Sequence, residues 1–385
     1  MEIEDSRIAA VYAGDHPRAV DLGNAALIPG LVNAHTHLEF SHLPRPLTPA
    51  APFTDWIRSV LQSRFAGSVP VEQSILTGIQ ECLNAGTTCL GEIATSDKSL
   101  QRLQQAELSP HAVVFRECLG FSAGRIAEQS RIAADFLEQF PAQNDSRDFH
   151  PGLSPHAPYS VHPDLYLKLI QQARDQGAPV AVHLAETPGE LELLERKQGP
   201  FVELLAERGL WDPQILSDGA RMYDYLAPLS ELTSALAIHG NYFGEPEIEF
   251  LKQSPQISVV YCPRTHHYFG HRRHPWREMI GHGINVAIGT DSRASNPDLS
   301  LWNELLFLRE AFPDVATALI LECGTLAGAR ALEMSQERGS LVVGKRADFA
   351  LIQLPDRSDR LSGSDLLLNS GAHVSRVMLN GGWVN

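Results

Sequence analysis

The sequence is poor in the features that mark secreted and membrane-spanning proteins. It contains only five cysteines, an odd number, and no Cys-x-x-Cys pair. A disulfide framework is therefore not expected, and the cysteines predict buried thiols in a reducing compartment, the cytoplasm. No uninterrupted apolar run reaches the roughly 18 residues of a membrane-spanning helix, so membrane insertion is not expected. The first five residues, MEIED, lack the basic and then apolar pattern of a secretory signal.

Positive charge is also scarce. Lys and Arg number 31 against 46 Asp and Glu, which gives a net charge of −15. Nucleic-acid backbones and anionic membrane surfaces need clustered basic residues, so neither is an expected partner. Histidine, in contrast, is abundant, with 16 residues. Because histidine is the commonest metal ligand, its positions along the chain are the next question.

Eight short β-type runs alternate with amphipathic helical stretches along most of the chain. With 385 residues, 43% of them hydrophobic, the chain can bury one large core. The alternation predicts a single (β/α)8 barrel of the α/β class. The predicted strands are 31–38, 87–93, 111–118, 152–156, 179–184, 235–240, 257–262 and 285–290. The helical stretches include 74–85, 164–176, 200–208 and 246–253.

The two ends of the chain differ from the rest because they hold short strand-and-turn units without a helical period. RIAAVYAG and AVDLGNAALIP lie near the start, and GSLVVGKRADFALIQL and SRVMLNGGWVN lie at the end. The termini of a domain often lie close together. We therefore expect residues 1–28 and 337–385 to form one small β-sandwich domain, and residues 29–336 to form the barrel.

Residues that can bind a metal fall at the carboxyl ends of the predicted strands, where (β/α)8 enzymes have their active sites. His35 and His37 end the first strand, and residues two apart in a strand face the same side. His183 ends the fifth strand and Asp291 the eighth. Three imidazoles and one carboxylate suit Zn²⁺, with Fe²⁺ or Mn²⁺ as alternatives. These four residues are therefore the expected ligands of one divalent ion.

Two further strand-end residues are expected to assist catalysis. Bound Zn²⁺ lowers the pKa of a water molecule to about 7, which makes hydroxide available at neutral pH. Glu186, three residues after His183, is expected to move protons, and His239, at the end of the sixth strand, is expected to hold the water or polarise the substrate. A single strand-end histidine is more often structural. Several such residues at separate strand ends favour a catalytic centre.

These motifs resemble a known superfamily. PGLVNAHTHLE, HLAET, IHGN and IGTDSRASN are similar to motifs of the metal-dependent amidohydrolase superfamily. The best match is its aminohydrolase branch, which includes guanine deaminase, the methylthioadenosine/S-adenosylhomocysteine deaminases, aminodeoxyfutalosine deaminase and the triazine hydrolases. The resemblance covers nearly the whole chain and includes GSLVVGKRADFALI, similar to that family's split β-sandwich. It implies a distorted barrel with one metal ion, and a homodimer is a further expectation because this family often dimerises.

The resemblance also implies roles and a reaction. Glu186 would shuttle a proton to the ring nitrogen of the substrate, while His239 and Asp291 orient and activate the water. The implied activity is hydrolytic deamination of an aminopurine nucleoside to its oxo form, with release of ammonia. Among the substrates of this branch, 6-aminodeoxyfutalosine fits best, followed by methylthioadenosine and S-adenosylhomocysteine. A triazine or halo-aromatic chlorohydrolase, an amidase and a catalytically silent metal-binding protein remain open as alternatives.

Substrate contacts are expected from the loops that follow the strands. SPHAPYSV resembles the deaminases, in which the corresponding histidine contacts the substrate, so His156 is an expected contact; a helix-capping loop is the structural alternative. Glu39 is expected to reach a sugar hydroxyl. Phe53 and Trp56 are expected to cover the substrate, although Trp56 equally suits a helix core. Ser292, beside the predicted ligand at the eighth strand, is a further expected contact.

Basic residues of two other segments complete the expected binding site. Arg116 in FRECLG suits a substrate carboxylate, but it could instead pair with Glu117. The segment 262–276, CPRTHHYFGHRRHPW, is basic and aromatic within an acidic chain. It predicts a cover over an anionic, aromatic substrate, with Arg264 and His266 as contacts. A solvated surface loop is the alternative.

Overall fold

The computed structural model describes residues 1–14, 16–17, 19–67, 69–139, 149–355, 363–369 and 371–384. A polar loop expected at 143–148 lies outside these ranges. The strands, in chain order, are β1 (Glu2–Glu4), β2 (Arg7–Ala10), β3 (Ala25–Pro29), β4 (Leu31–Thr36), β5 (Thr87–Ala94), β6 (His111–Cys118), β7 (Phe149–Pro155), β8 (Val180–Leu184), β9 (Ala235–His239), β10 (Ile257–Tyr261), β11 (Val286–Ile288), β12 (Phe349–Gln353), β13 (His373–Leu379) and β14 (Gly382–Val384).

Helices follow most barrel strands, as expected for a (β/α)8 fold. They are α1 (Phe53–Ala66), α2 (Val71–Asn84), α3 (Lys98–Gln105), α4 (Ile126–Glu138), α5 (Pro163–Gln176), α6 (Pro188–Arg196), α7 (Pro200–Glu207), α8 (Tyr223–Leu226), α9 (Glu245–Lys252), α10 (Pro263–Tyr268), α11 (Trp276–Gly281), α12 (Leu301–Ala311), α13 (Thr317–Cys323) and α14 (Leu326–Ala331). Short 3-10 helices lie at Leu38–Phe40, Ala123–Arg125, Ala227–Glu231 and Gly363–Leu366. None of the helices in the described ranges has the length and apolar character needed to cross a bilayer.

The eight strands β4 to β11 form one parallel sheet in which every strand lies beside its neighbour in the chain. The sheet curls until its two ends meet. There the backbone N–H of Asp291 donates to the carbonyl of His35 at 3.0 Å, and Thr36 forms a parallel bridge with Asp291. The distorted (β/α)8 barrel predicted from the sequence is confirmed.

The eighth barrel strand is shorter than predicted because its last residues turn towards β4. Strand β11 ends at Ile288, two residues before the predicted end at 290. The side chain of Asn33 donates to Thr290 Oγ1 at 2.8 Å and accepts from the Thr290 N–H at 3.1 Å. These contacts take the place of regular strand pairing. They also fix the chain just before Asp291, so the barrel closes where the site lies.

Strands from both termini form a second unit, which confirms the predicted small β-sandwich. Strands β3, β12, β13 and β14 make an antiparallel sheet, and β1 pairs with β2 in a two-stranded ribbon. One face of the sheet, with Ile28 and Val377, joins the main core. The other face packs Phe349 and Met378 against Ile8 of the ribbon. The boundaries of this unit, placed at residues 28 and 337, stay a prediction.

All five cysteines are buried free thiols, as the sequence predicted. Burial raises the pKa of Cys89, Cys118 and Cys323 to about 12. Such thiols are inert because only the thiolate is a good nucleophile or ligand. The chemistry of this chain therefore rests on its histidines and carboxylates.

The tightest point of barrel closure is Gly289, and it gives a test of the fold. A Cβ atom there would lie 2.8 Å from the His35 Cβ and 2.9 Å from the His35 carbonyl oxygen. We expect Gly289→Ala to lower the free energy of unfolding by about 1–3 kcal/mol, because the two strands must separate. The measurement is denaturant unfolding. Gly281→Ala is the matched control, since a Cβ there meets nothing within 4 Å. Equal losses in the two variants would contradict the closure described.

Candidate active site

The four predicted metal ligands meet at the carboxyl end of the barrel. Ring nitrogens of His35, His37 and His183 lie within 4.8 Å of one another. Asp291 Oδ1 lies 3.7 Å from Nε2 of both His35 and His37. All four side chains are buried. Residues that are up to 256 positions apart in the chain thus offer their donor atoms to one point.

The chemistry of these donors fits a divalent cation. His35 is fully buried, yet neither ring nitrogen has a hydrogen-bond partner among the described residues. An unpaired buried polar group costs about 1–3 kcal/mol, so a bound ion would supply the missing partner. Burial and the neighbouring imidazoles hold the pKa of His37 and His183 well below the usual range. These rings are therefore neutral and have lone pairs for a metal.

His183 is held in the orientation that a metal ligand needs. Its Nδ1 lies 3.0 Å from the backbone carbonyl of His156 and donates to it. The proton therefore sits on Nδ1, and the lone pair on Nε2 faces the cluster. Metal-binding histidines usually donate their second ring nitrogen in this way.

The carboxylate of Asp291 is also oriented by its neighbours. The Ser292 N–H donates to Oδ1 at 2.7 Å, and the Ser295 hydroxyl donates to Oδ2 at 3.3 Å. The backbone of Asp291 is left-handed, with φ of 58°, and that of His239 is similar, with φ of 69°. Non-glycine residues rarely adopt this conformation, and such strain often occurs at functional sites.

Glu186 and His239 form a polar pair beside the predicted metal ligands. Glu186 Oε1 lies 3.5 Å from His239 Nε2, and both side chains are buried. Burial, with the charges of Asp291 and Glu190 adding to it, holds the pKa of Glu186 well above its usual range. Burial holds the pKa of His239 well below its usual range. The pair therefore consists of a protonated carboxyl and a neutral imidazole, which can deliver a proton at neutral pH.

The loop that carries Glu186 is fixed by a carboxylate that the sequence analysis did not identify. Glu190, in the first turn of α6, accepts from the N–H groups of Ala185 and Glu186 at 3.1 and 2.9 Å. Asn241 donates to the Glu186 carbonyl at 3.0 Å. A signal for Glu190 was present in the sequence, since Thr187 and Glu190 have the spacing of a helix capping box.

A cavity of about 520 Å³ lies over the cluster. Its base carries His37, His183, Glu186, His239 and Asp291. Its walls are mainly apolar and come from α1, α7 and the loop after β6; they include Phe53, Trp56, Ile57, Val60, Leu61, Leu119, Phe121, Leu204, Leu205 and Leu210. A polar base below apolar walls is typical of small-molecule sites.

Four of the residues expected to contact or cover the substrate line this cavity, namely Phe53, Trp56, His156 and Ser292. His156 donates from Nδ1 to the Ser160 hydroxyl at 2.6 Å, because that hydroxyl itself donates to the Ala157 carbonyl. Its Nε2 lies 3.9 Å from Glu117 Oε1 and carries a lone pair. Burial lowers the pKa of His156 to about 3, so this nitrogen can accept a hydrogen bond from a ligand.

Two other expected contacts, Glu39 and Arg116, are not among the residues that line the cavity. The Glu39 carboxylate accepts from the N–H and the hydroxyl of Thr95 at 2.9 and 2.6 Å. Arg116 donates to the backbone carbonyls of Ala94 and Glu117 at 3.3 and 3.2 Å. These partners give both side chains a structural role, and their direct contact with a substrate stays a prediction.

The basic segment 262–276 contributes none of the residues that line the cavity, although its Phe269 packs against the cavity residues Phe53 and Trp56 with ring centroids 5.0 Å apart. Arg264 forms ion pairs with Asp298 at 2.6 Å and with the buried Glu304 at 2.7 Å. His266 is buried, and its ring lies 5.5 Å from that of Tyr261. Neither Arg264 nor His266 lines the cavity. Arg264 is therefore paired with carboxylates within the protein, and a direct contact of Arg264 or His266 with a substrate stays a prediction.

Three arginines that sequence reasoning did not identify line the cavity: Arg64, Arg125 and Arg208. A signal for two of them was present. Arg64 continues the helical spacing of the apolar stripe of α1, and Arg208 follows Leu204 by four residues. An arginine on an apolar helical stripe faces the same side as its apolar neighbours, which here line the cavity.

The ligand assignment predicts different metal contents for two neighbouring histidines. His183 and His156 have ring centroids 4.8 Å apart, and both line the cavity. We expect His183→Ala to lose most of the bound metal after dialysis, because one of few donors is removed. We expect His156→Ala to retain it. Elemental analysis of both purified variants is the measurement. Loss of metal in His156→Ala with retention in His183→Ala would overturn the assignment.

Comparison with known proteins identifies the family of this chain. The model of the amidohydrolase family matches residues 26–384. The chain is 29% identical to an aminodeoxyfutalosine deaminase of Nitratiruptor sp. over 92% of this chain and 84% of that one. Helicobacter pylori aminofutalosine deaminase in complex with methylthio-coformycin superposes with a TM-score of 0.78 at 26% identity, over 94% and 87% of the two chains. A Xanthomonas campestris adenosine deaminase with bound zinc gives a TM-score of 0.77 at 27% identity, over 94% and 80%. This chain belongs to the amidohydrolase family.

Proposed function

We propose that the protein is a zinc-dependent hydrolytic deaminase of an aminopurine nucleoside. The observation that carries this proposal is the position of Glu186 Oε1, 3.5 Å from His239 Nε2, beside three imidazoles and a carboxylate that can hold one ion. The relatives described above are deaminases of adenine-type nucleosides by name, and one of the superposed structures contains zinc. Zinc also suits the nitrogen and oxygen donor set.

The residues at the base of the cavity suggest how the reaction proceeds. A divalent ion held by His35, His37, His183 and Asp291 supplies Lewis acidity that lowers the pKa of a water molecule. The oriented Asp291 carboxylate accepts a proton from the water that attacks the amino-bearing ring carbon. Glu186 gives its proton to the adjacent ring nitrogen. The proton taken up by Asp291 passes to the amino group as the C–N bond breaks, so the group leaves as ammonia. The hydroxyl on the ring carbon returns a proton to Glu186 and becomes the carbonyl oxygen.

The upper part of the cavity suggests the class of nucleoside. Its walls are apolar, but Arg64, Arg125 and Arg208 also line it. The guanidinium of Arg64 lies over the Phe40 ring, 4.8 Å from its centroid. Arginine binds carboxylates through paired N–H donors and stacks on aromatic groups. We propose that these arginines receive an anionic arm of the substrate. Among the expected substrates, 6-aminodeoxyfutalosine carries both an aminopurine and a benzoate.

We propose that the protein acts in the cytoplasm. Five buried free thiols suit a reducing compartment, which supports action in the cytoplasm. The homodimer expected from the family resemblance stays a prediction.

Ammonia release by the zinc-loaded protein tests the proposed reaction. The panel consists of 6-aminodeoxyfutalosine, methylthioadenosine, S-adenosylhomocysteine, adenosine and guanine. We expect fast release from at least one adenine nucleoside, with 6-aminodeoxyfutalosine preferred. Release of chloride from a chlorotriazine, or cleavage of an amide, by a protein that is silent on the whole panel would replace this proposal with a different hydrolase activity.

The role of Glu186 gives a prediction that separates chemistry from metal binding. We expect Glu186→Gln to reduce kcat by about 10²–10⁴-fold, because glutamine cannot transfer a proton, while metal content stays that of the wild type. Steady-state ammonia release and elemental analysis are the measurements. The exposed Glu203 of α7 provides the same substitution outside the cavity as a control. Near-native turnover of Glu186→Gln would exclude it as the proton shuttle.

The arginines give a prediction about specificity. We expect Arg125→Ala and Arg208→Ala each to raise KM for 6-aminodeoxyfutalosine by about 10-fold or more, since a charge-assisted hydrogen bond is lost. KM for methylthioadenosine, which has no carboxylate, should change by less than about threefold. Arg131→Ala is the control, because Arg131 is 69% exposed and pairs with Asp135 on α4. Equal changes for both substrates would argue against an anion-binding role.

A further inference from the structure

None of the residues of the segment 262–276 lines the cavity, but one of its histidines contacts the backbone of a residue at the cavity base. His274 is only 2% exposed. Its Nε2 lies 2.7 Å from the backbone carbonyl of His239, the residue whose ring approaches Glu186. The segment expected to cover the substrate therefore contacts the active site through the backbone carbonyl of His239.

The hydrogen bonds of His274 fix which nitrogen carries its proton. The backbone N–H of Trp276 donates to Nδ1 of His274 at 2.9 Å. Nδ1 must then be the acceptor, so in the neutral ring the proton sits on Nε2 and is donated to the His239 carbonyl. Burial lowers the pKa of His274 to about 3, which keeps the ring neutral. The ring also stacks on Tyr261, the last residue of β10, with centroids 4.0 Å apart.

The His239 carbonyl needs such a donor because the backbone turns sharply at this residue. His239 has a φ of 69°, and Gly240, which follows, has a φ of 63°. The Gly240 N–H returns to the Leu184 carbonyl at 2.9 Å. Without His274, the buried His239 carbonyl would lose this hydrogen-bond donor. The left-handed turn that orients the His239 imidazole would then lose one of the hydrogen bonds that hold it.

We propose that His274 is a positioning residue: its Nε2–H bond to the His239 carbonyl holds the strained turn that directs the His239 imidazole towards Glu186. His274 orients the side chain of His239, and this role does not depend on which nucleoside is the substrate. The kinetic part of its test rests on the proposed deaminase activity, whereas the spectroscopic part does not.

Two amide substitutions separate the two hydrogen bonds of His274. In His274→Asn the side-chain oxygen can replace Nδ1 as acceptor for the Trp276 N–H, but no donor reaches the His239 carbonyl. In His274→Gln the longer side chain can place an N–H near the position of Nε2. The control is His267→Asn, because His267 is exposed in α10 of the same segment.

The expected kinetic result is a split between the two variants. We expect kcat for the preferred nucleoside to fall by about 10-fold or more in His274→Asn, with KM changed by less than about threefold, because the loss affects the reacting geometry rather than substrate binding. His274→Gln should retain kcat within about threefold, and His267→Asn should match the wild type. Equal loss of kcat in His274→Asn and His274→Gln, or none in His274→Asn, overturns the proposal.

Nuclear magnetic resonance of histidine-labelled protein tests the same contact without turnover. Long-range ¹H–¹⁵N spectra of the wild type should show His274 with its proton on Nε2. The ring signals of His239 should shift in His274→Asn and remain close to wild type in His274→Gln. A proton on Nδ1 of His274, or unchanged His239 signals in His274→Asn, overturns the proposal even if the deaminase assignment holds. Silence on the nucleoside panel with the expected spectra would reject the deaminase assignment alone.

Discussion

The closing hydrogen bond of the barrel, from the Asp291 N–H to the His35 carbonyl at 3.0 Å, is the contact on which the site depends. It joins the first and last strands of the barrel, and each of these two strands is followed or ended by proposed metal ligands. If the barrel stayed open, Asp291 would lie at one edge of the sheet, and His35 and His37, at the end of β4, would lie at the opposite edge. Gly289, next to this contact, leaves room for β4 to approach. Closure of the barrel between β4 and β11 therefore both completes the fold and assembles the site.

Burial then determines the protonation states in the site. Removing the imidazoles from water keeps His37, His183 and His239 neutral, whereas removing Glu186 from water keeps its carboxyl protonated, since the pKa of each group moves against its charged form. Neutral imidazoles suit metal binding, and a protonated carboxyl suits proton delivery. The apolar cavity walls limit water near these groups and strengthen their electrostatic interactions. The same burial therefore keeps the imidazoles of the proposed ligands neutral and the Glu186 carboxyl protonated.

The strand ends were predictable because two independent patterns agree there. Apolar runs mark the strands, and histidines and carboxylates stand at the strand ends. Since the carboxyl ends of the strands of a (β/α)8 barrel meet at one face, the strand positions alone predict that His35, His183 and Asp291 lie close together. The long side chains were less predictable, since their direction depends on distant partners. Arg264 turns to Asp298 and Glu304, which follow it by 34 and 40 residues in the chain. Composition marked its segment as basic but could not reveal these internal acids.

Some cavity residues could have been found by the helical spacing alone, and Arg64 on the stripe of α1 is the clearest example. The contact between His274 and His239 could not be predicted from the sequence, because it joins a side chain to a backbone carbonyl.

The most direct test of the account is anomalous diffraction at the zinc edge from crystals of the zinc-loaded protein. The account predicts one peak bonded to His35, His37, His183 and Asp291. No peak at this cluster, or a peak bound elsewhere, would contradict it.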